Sequence, residues 1–171
     1  MKFVPRVHEY NVGVNWTGAA AGPTTDYASY SRDHEVSIAG KPALLGSADP
    51  VFRGDASRHN PEQLLLAALA TCHMLSYLAL CAREQLAVTA YSDSATATMT
   101  EEGGAGRFVT ASLHPVVTID DDRLDLAMEL HHLAHEQCFI ANSVNFPVTR
   151  QATVSNGRET HVSGSVRTTH P

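Results

Sequence analysis

The chain has 171 residues, 43% of them apolar and 18% charged, with a formal net charge of -6. Those values suit one domain with a real hydrophobic core and exclude a disordered chain or a general basic footprint for nucleic acid. Three cysteines in a chain of this length do not make a disulfide-stapled mini-domain.

The start, MKFVPRVHEYNVGVNW, lacks the apolar core of a signal peptide. No run is apolar throughout for the length of a membrane span. The expectation is a cytoplasmic protein without membrane or nucleic-acid partners, in a compartment where a disulfide is transient and catalytic rather than structural.

Residues 8–16 alternate well enough for a strand, and 18–25 read as a loop. Residues 27–46 read as a hairpin or short meander with Gly40, Lys41 and Pro42 at a turn. A polar, Gly- and Pro-punctuated connection then leads into the clearest element. Asn60 as N-cap, Pro61 at the first helical position and Gln63 in a capping box start a helix that runs without Gly or Pro to about Leu86. It is apolar nearly all round as far as Leu80, which calls for burial on more than one side. So short a chain has little material to cover such a rod, and self-association is a natural remedy.

Residues 87–99 and 107–119 alternate and flank TEEGGAG, the pattern of a β-hairpin. Residues 120–138 predict a second helix capped by Asp120 or Asp121, with Leu124, Ala127, Leu130, Ala134 and Cys138 in helical period. Residues 145–154 read as a last strand, and 155–171 as a frayed tail. The result is a single domain over 1–154 of α+β class, with hairpins in place of βαβ crossovers.

The chemistry rests on two thiols. Cys72 sits in ATCHML inside the first helix, and Cys138 ends HHLAHEQC. About three turns into its helix, Cys72 is beyond the reach of the N-terminal dipole, which fades within the first turn. A reactive Cys72 therefore needs a cation brought to it, and Arg32, Arg53 and Arg58 precede the helix. An Arg fixed by a carboxylate would be the firmest arrangement. Cys81 points to the opposite helix face, about 900° further round, and reads as inert core.

These residues, above all 30–75 and 133–148, resemble the OsmC/Ohr family of osmotically inducible and organic hydroperoxide resistance proteins, and within it the OsmC-like branch. The likeness runs from about residue 8 to 154. Its marks are Asn60-Pro61-Glu62, a Cys ten residues after that Glu, and a second Cys well downstream. The resemblance implies antiparallel sheets wrapped around two long central helices in an intertwined homodimer, with its sites at the interface. It implies that Cys72 attacks an organic hydroperoxide and Cys138 resolves the product as a disulfide. It assigns Arg32 of the Ser-Arg-Asp-His run as the activating cation and Glu62 as its carboxylate partner. No cofactor is implied; an external lipoyl-type dithiol, carried on a protein, restores the thiols. The run after Cys138, Phe139-Ile140-Ala141, departs from the Pro and Ser often found there in the hydroperoxide branch, which leaves the substrate open.

Helix geometry adds a constraint. Glu62 and Cys72 are about 15 Å apart along one helix and about 80° apart around it, so one Arg does not easily reach both. A site shared between two chains removes the difficulty. Leu69, Leu75, Phe139 and Ile140 would favour an organic peroxide over hydrogen peroxide.

Two further readings compete. One is a non-enzymatic OsmC-like dimer, redox-responsive or binding a small ligand. The other is a zinc protein, since His131, His135 and Cys138 share a helical face, with His132 beside them. His135 is also a candidate for positioning Cys138. His73 adjoins Cys72 but points about 100° away on a helix, so it is not read as a base.

Overall fold

The computed structural model describes residues 6–163. The chain divides into two compact units, Met1–Leu64 and Leu65–Pro171.

In the first unit, β1 (Gly13–Trp16), β2 (His34–Ser37) and β3 (Leu44–Gly46) form an antiparallel sheet in that order. The first strand is shorter than the alternation over 8–16 suggested. The expected turn between β2 and β3 is present: Lys41 N–H donates to Ile38 O (3.0 Å), and Gly40 takes a φ of 76°. The His34 ring covers Gly46: a Cβ there would lie 2.3 Å from the ring, so a larger residue would have to displace it. Residues Pro50–Phe52 make a 3-10 turn capped by Asp49, whose carboxylate accepts from Val51 N–H (2.9 Å) and from the Asn60 side chain (3.1 Å). The polar connection is therefore tied to the start of the next helix.

That helix, α1 (Pro61–Arg83), begins with the capping box read from sequence. Gln63 N–H donates to Asn60 Oδ1 (2.8 Å), and Asn60 N–H to Gln63 Oε1 (3.4 Å). By length and apolarity α1 would pass for a membrane span. Yet its buried residues, Leu69, His73, Tyr77, Leu80 and Cys81, form one stripe with two polar rings in it.

The second unit holds β4 (Val88–Asp93), β5 (Thr96–Glu102), β6 (Ala105–Leu113), β7 (Pro115–Ile119), α2 (Leu124–Glu136), β8 (Val148–Arg150), β9 (Thr153–Ser155) and β10 (Thr160–Val162). One sheet has the order β10-β9-β7-β4 and the other β5-β6-β8. The hairpin at TEEGGAG is β5–β6, with Gly103 and Gly104 both at positive φ in its tip.

Three expectations are corrected. Each long strand breaks in two and changes sheet. At the switch His114 N–H donates to Asp93 Oδ1 (2.8 Å) and Gln151 N–H to Leu113 O (2.9 Å), so the amides that leave one ladder are met by new acceptors. Parallel crossovers are present: β8 pairs parallel to β6 and β9 parallel to β7, with α2 in the connection. The tail is a strand at 160–162, antiparallel to β9; residues 164–171 lie outside the described range.

The second helix is shorter than expected, 13 residues, and Asp121 does not cap it. Asp121 instead holds the Arg123 guanidinium (2.6 Å), which also donates to the carbonyls of Glu84 (3.2 Å) and Gln85 (3.0 Å) just past the end of α1.

Candidate functional site

Arg32 and Glu62 line one pocket of about 340 Å³ in the first unit, together with Trp16, Tyr30, His34 and Phe52. Strand pairing places Trp16 opposite His34, and the Trp16 indole N–H donates to Ser31 O (2.8 Å). The Arg32 guanidinium lies 3.9 Å from the Tyr30 ring centroid and 4.7 Å from that of Tyr27, and donates to both main-chain carbonyls. A planar guanidinium held between two aromatic faces and two carbonyls keeps its direction. Glu62 Oε2 is buried, without a hydrogen-bond partner among the described residues. The two side chains share the pocket and form no ion pair with each other there. Arg58 is engaged elsewhere, with Asp33 (3.5 Å) and Asp55 (3.7 Å). Arg53 sits at φ 66° as the cap of the 3-10 turn.

The two thiols meet in the second unit. Cys72, half-buried on α1, packs with Leu69, Leu113, Ala141 and Val148 against Cys138, which is 1% exposed. Cys138 lies beyond the end of α2, in a turn where its N–H donates to His135 O (3.2 Å) and its carbonyl accepts from Asn142 N–H (3.0 Å). Burial is the main force on the Cys138 thiol and pushes its pKa up. The backbone N–H groups of Ala141 and Ile140 pull the other way, and a hydrogen bond with the Cys72 side chain raises it further. Cys138 is thus held as a protonated thiol against Cys72. Both sulfurs are free, not bridged. Leu75 and Phe139 face outward, at 62% and 73% exposed, so of the apolar neighbours expected around the thiols only Leu69 and Ile140 belong to this cluster.

Beside the thiols lies a buried polar cluster that the sequence reading did not foresee. His73 and His131 are fully buried, and His73 Nε2 sits 3.1 Å from His131 Nδ1. The His131 ring stacks on Tyr77 with centroids 3.7 Å apart. Burial, then the neighbouring His135 and Arg150, lowers the His73 pKa to about 3; burial, then His73 and Arg150, lowers that of His131 to about 2. Both rings are neutral at any ordinary pH. The only sequence signal was spacing: His73 with Tyr77, and His131 with His135, each four apart on one helix face. No group of three or more His, Cys, Asp or Glu among the described residues is arranged to hold a metal. Cys138 lies past the end of α2, so it does not continue the helical face of His131 and His135 on which the competing zinc reading rested.

The model of the OsmC-like protein family matches residues 54–152. An OsmC-like protein of unknown function from Vibrio cholerae is 31% identical, with 85% of this chain and 99% of that chain covered at a TM-score of 0.78. An organic hydroperoxide resistance protein from Legionella pneumophila shares the fold at 18% identity, covering 88% and 99% of the two chains at a TM-score of 0.62. Another from Elizabethkingia anophelis does so at 20% identity, 87% and 98% coverage and a TM-score of 0.60. A search of curated proteins finds no match. With more than half its length matched by the family model and a relative aligned over nearly its whole chain, the protein belongs to the OsmC-like family.

Proposed function

We propose that the chain is a thiol-dependent peroxidase that reduces organic hydroperoxides to alcohols. The observation that carries this is that Cys72, half-buried, and Cys138, sealed in as a thiol, sit in one apolar cluster. The Cys72 thiolate attacks the outer oxygen of the peroxide. The O–O bond breaks, the alkoxide takes a proton and leaves as the alcohol, and Cys72 becomes a sulfenic acid. The Cys138 thiol then attacks that sulfur, water leaves, and a Cys72–Cys138 disulfide remains. An external dithiol of lipoyl type reduces it by exchange and is itself oxidised to a disulfide.

Arg32 supplies the positive charge that holds the thiolate, and Glu62 accepts one edge of the same guanidinium when the site is complete. Because Glu62 and Cys72 lie about 15 Å apart along α1 and about 80° apart around it, the complete site draws on two chains of a homodimer. Only 28% of the most apolar stretch of α1 is buried within one chain, which leaves an apolar face for a second copy. The organic hydroperoxide resistance proteins that share the fold support the substrate class. A cytoplasmic location follows from the need for reduced thiols.

A second reading is a non-enzymatic dimer that binds a small ligand or responds to redox state. The pocket of Trp16, Tyr30 and Phe52, with the Arg32 guanidinium already given to carbonyls, favours it. Incubation with cumene hydroperoxide and dihydrolipoamide separates the two. Peroxide consumption that disappears in Cys72→Ser supports the peroxidase, and consumption that survives refutes the nucleophile. No consumption by the wild-type protein with any dithiol supports the second reading. Arg32→Met is expected to slow peroxide consumption at least tenfold.

A further inference from the structure

The imidazole pair and the thiol pair close a ring of contacts. Cys72 and His73 are joined by a peptide bond, and His73 meets His131 across 3.1 Å. One turn further along α2 is His135, whose carbonyl accepts the Cys138 N–H, and the Cys138 thiol returns to Cys72.

A hydrogen bond between two imidazoles needs one accepting nitrogen, so the rings are never both imidazolium, and burial keeps both neutral here. Either tautomer serves. Whichever ring donates, the remaining pair of buried nitrogens, His73 Nδ1 and His131 Nε2, is one donor and one acceptor, unpartnered among the described residues. Replacing both rings by apolar groups would remove that burden at little cost. The burden sits beside the thiols, and packing alone does not require it. The stack of His131 on Tyr77 fixes the plane of the accepting or donating ring, so the bond has a defined direction as well as a length.

We propose that His73 and His131 are positioning residues for the Cys72–Cys138 couple. Their hydrogen bond holds α1 against α2 at the separation that lets the sulfurs bridge. This rests on the two thiols being one redox couple. In this role the imidazoles act through the helices that carry them.

The atoms involved supply a discriminating test. His73 uses Nε2, the position a Gln amide reaches; His131 uses Nδ1, the position an Asn amide reaches. His73→Gln and His131→Asn keep the bond, whereas His73→Asn and His131→Gln break it at the same polarity. The readout is the equilibrium constant for disulfide formation in the folded protein against oxidised and reduced dithiothreitol, with urea unfolding run alongside. The expected result is a constant lowered about five- to tenfold in His73→Asn and His131→Gln, the worth of one hydrogen bond, and near wild type in the other two. A merely structural role would lower unfolding midpoints in all four and leave the constant unchanged, which overturns the proposal. If His73→Asn fails to fold, His131→Gln decides, and His131→Phe, which keeps the stack on Tyr77 without the bond, should match it. A wild-type protein that forms no Cys72–Cys138 disulfide overturns the underlying couple instead, a result separate from any difference among the variants.

Discussion

Helix α1 carries two thiols nine residues apart, and they sit in different chemistry. Cys81 belongs to a cluster of Tyr77, Leu80, Leu86, Val117, Ile119, Leu130 and Val154, and burial there pushes its thiol pKa up. Cys72 is half-buried against a smaller cluster that holds a second sulfur, Cys138. The two share helix, residue type and apolar flanks. What separates them is a second sulfur and access from outside. The environment of a cysteine in this helix is therefore set by the opposite wall, not by the local sequence.

The comparison can be broken most sharply at the sulfurs. Cys72→Ser should lower dithiol-dependent peroxide consumption by at least ~10²-fold, because a hydroxyl is a far weaker nucleophile at neutral pH. Cys81→Ala should leave it within about twofold. A loss at Cys81 equal to that at Cys72 would mean the wrong thiol has been assigned.

Next come the walls. Leu69→Ala, on the Cys138 side, and Leu80→Ala, on the Cys81 side, each remove a buried side chain and should cost about 2–5 kcal/mol in urea unfolding. Only Leu69→Ala should also change the dithiothreitol equilibrium of Cys72 and Cys138.

The imidazoles give a pH signature. His73 and His131 are near 6.5 when unfolded and about 3 and about 2 when folded. As pH falls below 6.5 the unfolded chain takes up protons that the folded chain refuses. Stability is full above that pH and is lost on the way down, by up to ~1.4 kcal/mol per pH unit for each ring. Urea midpoints between pH 8 and 4 should show this decline, and His131→Asn should remove about half of its slope. The thiols act in the other direction: Cys138, raised by burial, contributes stability that is lost as pH rises past the ordinary thiol value.

The smallest effect tests what both thiols share. Asn60→Ala opens the capping box at the start of α1 and should cost ~1 kcal/mol, with no preference between the two thiol environments. A change in the Cys72–Cys138 equilibrium larger than the change in stability would show that the cap does more than start the helix.

Much of this was legible before folding was considered. The start of α1 was plain because a capping box is a local hydrogen-bond pattern with fixed spacing. The β5–β6 hairpin was plain because two glycines mark its tip. The beginning of α2 was misread because Asp121 is claimed by Arg123, a contact that also reaches the carbonyls of Glu84 and Gln85, remote in sequence. The broken strands were missed because alternation does not say which sheet a strand joins. At residues 93, 114 and 151 the ladder changes partners while the period of two continues. Arg32 and Glu62 were picked out by resemblance, but that the guanidinium rests between Tyr27 and Tyr30 was not foreseen, since rings two and five residues away carry no periodic signal. The imidazole pair was missed for a related reason. His73 was judged by its angle from Cys72 alone, and only α2 opposite gives it a partner.

The order of residues by itself determined the long apolar helix, its cap, the glycine-tipped hairpin, and the two sulfurs as a candidate couple, since each rests on neighbours within a few positions or on a recognisable spacing. Tertiary structure alone decided the crossover pairing of β8 and β9, the contact of Cys72 with Cys138, and the burial that leaves two histidines uncharged. Those depend on which surfaces exclude water from one another, and desolvation is set by atoms brought together from distant parts of the chain.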